Sequence, residues 1–140
     1  MSSRPVLHIE HKNDEQQVEQ SPVRAFYRHR SVLITNPNEF WAKLLIFKLL
    51  KTCDITYIFI LLRPKRNKGI HDVYEEYISS EIFTHLHDHR LLEKVIPIAA
   101  FPTLPAMGLE DRDMKLLLAN VSVIFHSTDT SDVKLDRSLK

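Results

Sequence analysis

A short turn between two apolar segments is the first place where this sequence could perform chemistry. SVLIT at residues 31–35 predicts a short strand buried on both faces, and FWAKLLIFKLL at residues 40–50 predicts a helix packed on a sheet. Nucleotide-binding proteins often place a glycine-rich turn at such a junction, because bare backbone N–H groups at a helix N-terminus bind phosphate. The turn NPNE at residues 36–39 contains no glycine. The central question is therefore whether this turn still binds a phosphate.

The side chains of the turn also have a purely structural interpretation. With Asn36 as N-cap, Pro37 as the first helical residue and Glu39 as the third, the turn forms a variant of the capping box, which fills the anion site from within. The alternative is a phosphate site that remains usable. Against it, Pro37 supplies no N–H, and a Glu39 carboxylate about 4 Å from a phosphate charge costs roughly 1 kcal/mol in water. We predict self-capping rather than phosphate binding.

The segment HLHDH at residues 85–89 has the residue types of a metal site. On a helix only His85 and His89 share a face, so further ligands must come from elsewhere, and no cysteine is nearby. We interpret the segment as a solvated helix end and predict no metal. Trp41, on the apolar helix, is likewise predicted to lie in the core rather than in a cofactor site.

Composition excludes several classes of function. The 140 residues suffice for one domain with a hydrophobic core, and 44% hydrophobic and 26% charged residues are ordinary globular values. The formal net charge of +1 argues against nucleic acid as a partner. Cys53 is the only cysteine, which excludes an intramolecular disulfide and fits a reducing, intracellular compartment. Because the longest apolar run, residues 55–62, is far shorter than a membrane span, we expect a soluble or peripheral protein.

The apolar segments indicate which elements position these residues. Residues 1–24 are polar and predict a flexible leader, with order beginning near Phe26, and residues 25–140 form the domain. The predicted strands lie at residues 31–35, 55–62, 94–99 and 121–126. The predicted helices lie at residues 40–50, 71–93, in one or two pieces, and 109–119. This alternation is typical of an α/β fold, here a partial Rossmann-type doubly wound sheet of about four parallel strands with crossover helices.

Five blocks of the sequence resemble one enzyme family. They are FYRHRSVLIT (26–35), FWAKLLIFKLL (40–50), ITYIFILLRPKR (55–66), LLEKVIPIAA (91–100) and NVSVIFHS (120–127). Together they are similar to the N-terminal NAD(P)-binding part of the alcohol-forming fatty acyl-CoA reductases, which are extended short-chain dehydrogenase relatives. The resemblance implies NADPH as cofactor and long-chain fatty acyl-CoA as substrate, reduced through the aldehyde to a primary alcohol. It also implies association with peroxisome or endoplasmic reticulum membranes.

In the first turn, the resemblance assigns cofactor contacts to residues that match the family motif. That motif reads threonine, glycine, any, any, glycine, phenylalanine, any, glycine, lysine, and the chain keeps Thr35, Phe40 and Lys43. The positions of the three glycines are occupied by Asn36, Glu39 and Ala42. Alanine is a familiar substitute at the third position, which only sets helix packing. The other two replacements predict weak or absent binding of the dinucleotide.

Arg63 is the best preserved cofactor feature that the resemblance implies. It lies 21 residues after Ala42, at the end of the second strand, where an arginine accommodates the NADP phosphate. Lys65 and Arg66 lie beside it. The alternative, a solvated basic loop, carries equal weight because only the resemblance fixes the position.

Of two further strand ends, one departs from the family pattern and the other matches it in part. Phe101 stands where the family has an aspartate that faces the adenine, and its ring accepts no hydrogen bond from an amino group. His126 and Ser127 agree with the family turn beside the nicotinamide ribose. Thr128 and Asp129 replace two alanines of that turn and add bulk and charge.

By the resemblance, the family's catalytic tyrosine and lysine, spaced as YxxxK, lie beyond the portion of the family that this sequence covers, and the tyrosines present offer no substitute. Tyr74 is followed four positions later by Ile78. Tyr77 is followed by Glu81. Without this proton relay we predict no turnover by the chain alone. The alternatives are a non-catalytic pseudoenzyme that binds a full-length relative and a chain with no selected role.

The apolar last strand, at residues 121–126, predicts an exposed sheet edge that favours self-association or pairing with such a relative.

Overall fold

The computed structural model describes residues 21–127, in which strands alternate with helices. Within this range, none of the helices is long and apolar enough to cross a membrane. The elements in chain order are α1 (Pro22–Tyr27), β1 (Ser31–Ile34), α2 (Phe40–Thr52), β2 (Tyr57–Leu62), α3 (Ile70–Ile78), two 3-10 turns (Glu81–His85 and His89–Lys94), β3 (Val95–Ala99), a third 3-10 turn (Pro105–Gly108), α4 (Asp111–Asn120) and β4 (Val121–Phe125).

The four strands form one parallel sheet in the order β3-β2-β1-β4. Val32 of β1 lies between Ile58 of β2 and Val123 of β4, and Ile58 also lies opposite Val95 of β3. The chain therefore builds the sheet from β1 outward to β3 and then crosses to the other side of β1. This reversal is the topological switch point, outside which doubly wound folds bind their ligands. The predicted α/β fold is confirmed.

The side chains of the two central strands alternate between two cores. All four residues of β1 are buried. Val32 and Ile34 pack in the larger core, which α2 and α3 complete. Leu33 packs on the other face with Phe59 of β2 and Leu117 of α4. Strands that are buried on both faces are continuous apolar runs in the sequence, which is why they could be predicted.

The segment between α3 and β3 is less regular than the predicted helix at residues 71–93. Only Ile70–Ile78 is α-helical, and two 3-10 turns follow. Phe83 and Leu86, three residues apart, are both buried in the larger core. In a 3-10 helix, which has three residues per turn, residues three apart lie one above the other, so this geometry directs both side chains to the same face.

Trp41 does not lie in the core, so that prediction is wrong. Trp41 is 39% exposed and Phe40 is 73% exposed. The helix α2 instead buries Ala42, Ile46, Leu49 and Leu50. At 100° per residue, Trp41 and Phe40 fall outside the arc of these four residues. Lys43, Lys48 and Lys51 mark the solvent-facing arc of α2, and Trp41 lies only about 20° beyond the edge of that arc.

The chain is already helical before the predicted start of the domain. The helix α1 begins at Pro22, inside the range predicted as a leader, and order therefore begins before Phe26. The rest of that leader, residues 1–20, and the C-terminal residues 128–140 lie outside the described residues.

Candidate functional site

The carboxyl ends of β1 and β4 bring together three residues that the sequence assigned to the cofactor. The Thr35 N–H donates a hydrogen bond of 3.1 Å to the Phe125 carbonyl, and Thr35 Oγ1 lies 2.8 Å from His126 Nδ1. Ser127 follows, and its Oγ is buried without a hydrogen-bond partner among residues 21–127. An unpaired buried hydroxyl is costly. The switch point therefore holds a polar group that a ligand could satisfy.

The turn between β1 and α2 does not form the predicted capping box. Glu39 is the N-cap residue of α2, in extended geometry (φ −64°, ψ 144°), and no side chain caps the helix. The first intrahelical bonds run from the Ala42 and Lys43 N–H groups to the Glu39 carbonyl, at 3.1 and 3.2 Å. The prediction of Asn36 as N-cap is therefore wrong, because the N-cap lies three residues later. The helix N-terminus is not filled from within.

A buried proline and one tyrosine explain the late start of α2. Pro37 is fully buried. Its carbonyl accepts a hydrogen bond of 2.6 Å from the hydroxyl of Tyr77 on α3. Tyr77 is buried as well, with the Phe83 ring 5.8 Å away and the Lys43 ammonium 5.4 Å from the centre of its own ring. The neighbouring helix α3 thus holds Pro37 in the turn rather than in the first turn of α2.

Tyr77→Phe should lower the free energy of unfolding by about 1–2 kcal/mol, because it leaves the Pro37 carbonyl unpaired. Burial also raises the pKa of Tyr77 above its ordinary value of 10.0. The neutral hydroxyl therefore contributes fully below about pH 10, and its contribution is lost as the pH rises through the folded-state pKa. Urea unfolding at pH 7 measures the first effect, and unfolding above pH 10 measures the second.

The matched control for this prediction is Tyr57→Phe. Tyr57 is 40% exposed, and its hydroxyl has no hydrogen-bond partner among the described residues. Its loss should change stability by less than about 0.5 kcal/mol. Equal effects of the two substitutions would contradict a role for Tyr77 in holding the turn.

A basic cleft of about 630 Å³ opens beside this turn, at the carboxyl end of β2. Its lining combines Lys43 of α2 with Arg63, Lys65 and Arg66 from the loop after β2. Glu76 of α3 is the one acidic residue among the described side chains that line it. Guanidinium and ammonium groups around one space are the donors that bind phosphate. The tertiary structure thus brings Arg63 and Lys43, two matches to the family pattern, into one site.

Phe40 is not part of the basic cleft. Its side chain lines an adjoining groove with Ile82 and His85, and this groove shares Lys43 and Ser80 with the cleft. The structure therefore does not bring Phe40 together with Arg63. A cofactor contact for Phe40 stays a prediction.

Phe101, at the predicted adenine position after β3, is held by a tight turn. Its N–H donates a hydrogen bond of 2.7 Å to the Met107 carbonyl. Gly108 closes this turn with φ +62°, and a Cβ there would lie 3.1 Å from Phe101. The Phe101 ring is thus part of the packing of this loop.

The histidine segment does not form one helical face. His85 ends one 3-10 turn and His89 begins the next, so the two histidines are not on one continuous helix. The Asp88 carboxylate accepts a hydrogen bond of 3.0 Å from the Arg90 N–H and pairs with the Arg90 guanidinium. Across residues 21–127, no group of three His, Cys, Asp or Glu side chains is placed to hold a metal ion.

Comparison with known proteins identifies the family. The model of the male sterility protein family matches residues 39–140. The chain belongs to the male sterility protein family. Its relatives include fatty acyl-CoA reductase 1 of Mus musculus, 30% identical over 118 residues, and fatty acyl-CoA reductase 2 of Bos taurus, 31% identical over 123 residues. These matches cover 82% and 86% of this chain but only 22% and 24% of the relatives. The resemblance stated from the five sequence blocks is confirmed.

Solved structures with the same fold are reductase domains. The reductase domain of a non-ribosomal peptide synthetase from Mycobacterium tuberculosis superposes with a TM-score of 0.56 at 22% identity. That match covers 72% of this chain and 24% of the other. The terminal R domain of the myxalamid pathway gives a TM-score of 0.55 at 20% identity and covers 71% and 25%. At this identity the likeness establishes the shared Rossmann-like fold.

A nicotinamide dinucleotide fits the male sterility family site in this chain only in part. The buried, unpaired Ser127 hydroxyl at the switch point and the basic cleft at the end of β2 both suit such a ligand. The N-terminus of α2 is also free of a side-chain cap. Glu39 does not fit such a ligand. It is the N-cap residue of α2, and it places a carboxylate at the helix N-terminus, where a diphosphate would approach. A negative charge at residue 39, rather than internal capping, is therefore the feature of this helix N-terminus that suits a diphosphate poorly.

Two residues of the site, Tyr77 and Glu76, are not among those predicted from the sequence. Tyr77 has a signal that could reveal it, since Val73 and Tyr77 lie four positions apart and form the buried side of α3. Glu76 has none, because its lysine partners, Lys65 and Lys68, lie in an irregular loop. Only the tertiary structure places that carboxylate in the cleft.

Proposed function

We propose that this member of the male sterility family is a fatty acyl-CoA reductase-like domain that binds NADPH weakly and does not turn over by itself. The observation that supports NADPH is the basic cleft, in which Arg63 and Lys43 lie together at the end of β2. An arginine at this place suits the 2′-phosphate that distinguishes NADPH from NADH. The lineage supports long-chain fatty acyl-CoA as the family substrate and a primary alcohol as its product.

The residues of this chain would bind and orient the cofactor rather than catalyse its reaction. Bound NADPH supplies a hydride. Arg63 and Lys43 would hold the ribose phosphate, and Ser127 lies at the switch point between β1 and β4, where the nicotinamide half of such ligands is bound. Proton transfer to the reduced carbonyl requires an acid, and the YxxxK pair that supplies it in the family is absent from this sequence. The residues of the site described above therefore bind and orient the cofactor, and the proton donor is not among them.

Weak binding follows from the turn before α2. Pro37 has no N–H to offer, and Glu39 adds a negative charge where the diphosphate would approach. We expect NADPH to saturate the protein only well above micromolar concentrations, in a fluorescence or ligand-observed NMR titration. Saturable micromolar binding would contradict this part of the proposal.

Arg63→Ala should weaken NADPH binding by about tenfold, because it removes a charge-assisted contact with the 2′-phosphate. The same substitution should leave NADH binding within about twofold. Arg112→Ala is the matched control, since Arg112 is an exposed arginine on α4 that does not line the cleft. Equal NADPH affinities of the Arg63→Ala and Arg112→Ala variants would remove Arg63 from the site.

A non-catalytic role through β4, an edge strand of the sheet that residues 21–127 form, is the second candidate, and one contrast between the two sheet edges favours it. β3, at one edge, carries Pro97, which lacks an N–H and protects an edge strand from pairing. β4, at the other edge, contains no proline, and its Ile124 is 61% exposed. We propose that β4 pairs with a second copy or with a full-length relative, and that the protein acts inside the cell, in solution or peripherally at a membrane.

Ile124→Lys should shift the protein from dimers or aggregates to a monomer, because a lysine on an edge strand opposes strand pairing. Size-exclusion chromatography with light scattering measures the change. Leu118→Lys is the control, since Leu118 is 77% exposed but lies on α4. If the unaltered chain is a stable monomer, or if both lysines act alike, the edge is not the contact.

A further inference from the structure

Glu76 lies between two lysines of the loop that builds the basic cleft. Its Oε2 lies 3.8 Å from Lys65 Nζ, and its Oε1 accepts a hydrogen bond from Lys68 Nζ. The two lysines are joined by backbone hydrogen bonds in both directions, of 2.9 and 3.1 Å. Their ammonium groups therefore form a lysine clamp, Lys65 and Lys68, on a short closed loop, and the Glu76 carboxylate occupies it.

The Glu76 carboxylate opposes the positive charge of the cleft. Four cations line the cleft, and Glu76 is the one acidic residue that lines it among the described residues. Lys68, through a hydrogen bond and its charge, lowers the pKa of Glu76, and Lys65 adds to the effect. The carboxylate is therefore ionised at neutral pH. An anion that enters the cleft is repelled by the Glu76 carboxylate, which is already paired with the two lysines of the clamp.

We propose that Glu76 is an internal competitor for the ribose phosphomonoester in this cleft, and that its displacement from Lys65 and Lys68 sets the affinity for NADPH. The carboxylate carries one negative charge, whereas a phosphomonoester carries about −1.5 to −2 at pH 7. Lys65 lines the same cleft as Arg63 and Lys43. A phosphomonoester held by those two residues therefore also attracts the Lys65 ammonium, and more strongly than the singly charged Glu76 does. The exchange is feasible because the three side chains are about half exposed and such ion pairs are weak.

This inference rests on the proposed function, because it names the residue that regulates the same phosphate site. The test compares Glu76→Gln with Glu75→Gln. Glu75 is the preceding residue of α3 and does not line the cleft, and its carboxylate lies 3.9 Å from His71 Nε2. Both variants change the net charge equally and keep the shape of the side chain. A difference between them therefore reports the position of Glu76 in the clamp.

Glu76→Gln should bind NADPH and 2′,5′-ADP about five- to tenfold more tightly than the unaltered chain at low salt. The gain should shrink in 0.5 M salt, where charges more than a few ångströms apart are screened. NADH, which has no phosphomonoester, should change by less than about twofold, and Glu75→Gln should behave like the unaltered chain with all three ligands.

Two results would overturn the inference while leaving the proposed function intact. If the unaltered chain binds NADPH and Glu76→Gln binds it equally, Glu76 does not compete. If Glu76→Gln binds NADPH more weakly, the carboxylate positions the lysines instead of occupying them. If none of the three proteins binds NADPH or 2′,5′-ADP, the proposed function fails and the inference fails with it.

Discussion

Replacing Asn36, Pro37 and Glu39 by Gly, Ala and Gly should raise the affinity for NADPH by roughly 10- to 100-fold. Most of this gain comes from Glu39. Removing one carboxylate about 4 Å from a diphosphate charge relieves about 1 kcal/mol in water and about 4 at an effective dielectric constant of 20. Each 1.4 kcal/mol corresponds to a tenfold change in affinity. NADPH fluorescence titration of both proteins measures the difference.

The structure makes this repair feasible without loss of the turn. Tyr77 donates its hydrogen bond to the backbone carbonyl of residue 37, which alanine also provides. Pro37 is fully buried, so alanine leaves a small cavity and costs some stability. A thermal melt of the repaired protein should therefore show a lower Tm with a cooperative transition.

Glu110→Gly is a matched control for the glutamate in this repair. Like Glu39, Glu110 is the N-cap of a helix, has extended backbone geometry (φ −69°, ψ 150°) and makes no side-chain cap. It precedes α4 and lies outside the basic cleft. NADPH affinity should be unchanged in this variant. A repaired turn that binds no better than Glu110→Gly would show that charge at residue 39 is not the obstacle.

Phe59→Ala should lower the free energy of unfolding by about 3–5 kcal/mol, the usual cost of removing a buried phenylalanine. Phe59 is 1% exposed, in the middle of β2, and packs in the core shared by Leu33 and Leu117. The loss would be a large part of the 5–15 kcal/mol by which domains are stable. Urea unfolding, with the midpoint and the m-value measured together, gives the change.

Ile124→Ala removes a comparable apolar side chain from the same sheet and serves as the control. Ile124 lies opposite Leu33 in the neighbouring strand but is 61% exposed. Its loss should change stability by less than about 1 kcal/mol, because little apolar surface returns to water. A small effect of Phe59→Ala, close to that of Ile124→Ala, would mean that the second core contributes little to stability.

The elements that could be predicted from the sequence are those whose apolar pattern has one interpretation. The central strands β1 and β2 are buried on both faces, and residues 31–35 and 55–62 locate them to within about two residues. The helix after β3 was placed at residues 109–119 and runs over Asp111–Asn120. In each case local propensity and burial agree.

The predictions that were wrong concern residues for which local signals compete with packing. Asn36, Pro37 and Glu39 satisfy the local rules for a capping box, but the burial of Pro37 and its bond to Tyr77 override them. The helical pattern at residues 71–93 likewise gives way to 3-10 turns. The Tyr77 hydroxyl that bonds to Pro37, and the larger core that surrounds the 3-10 turns, are formed by residues far away in the sequence. Rules based on neighbouring residues therefore do not predict these contacts.

The sequence by itself determined the class of fold and the strand ends that carry the site. Alternating buried strands and helices indicate a parallel sheet with crossover helices, and they place Thr35, Arg63 and His126 at the ends of strands. Only the tertiary structure decided what these ends contain. It left the N-terminus of α2 without a cap, joined Lys43 to Arg63 in one cleft and set Glu76 in the lysine clamp. The physical reason is that charge and hydrogen bonding depend on distance in space, whereas periodicity depends only on distance along the chain.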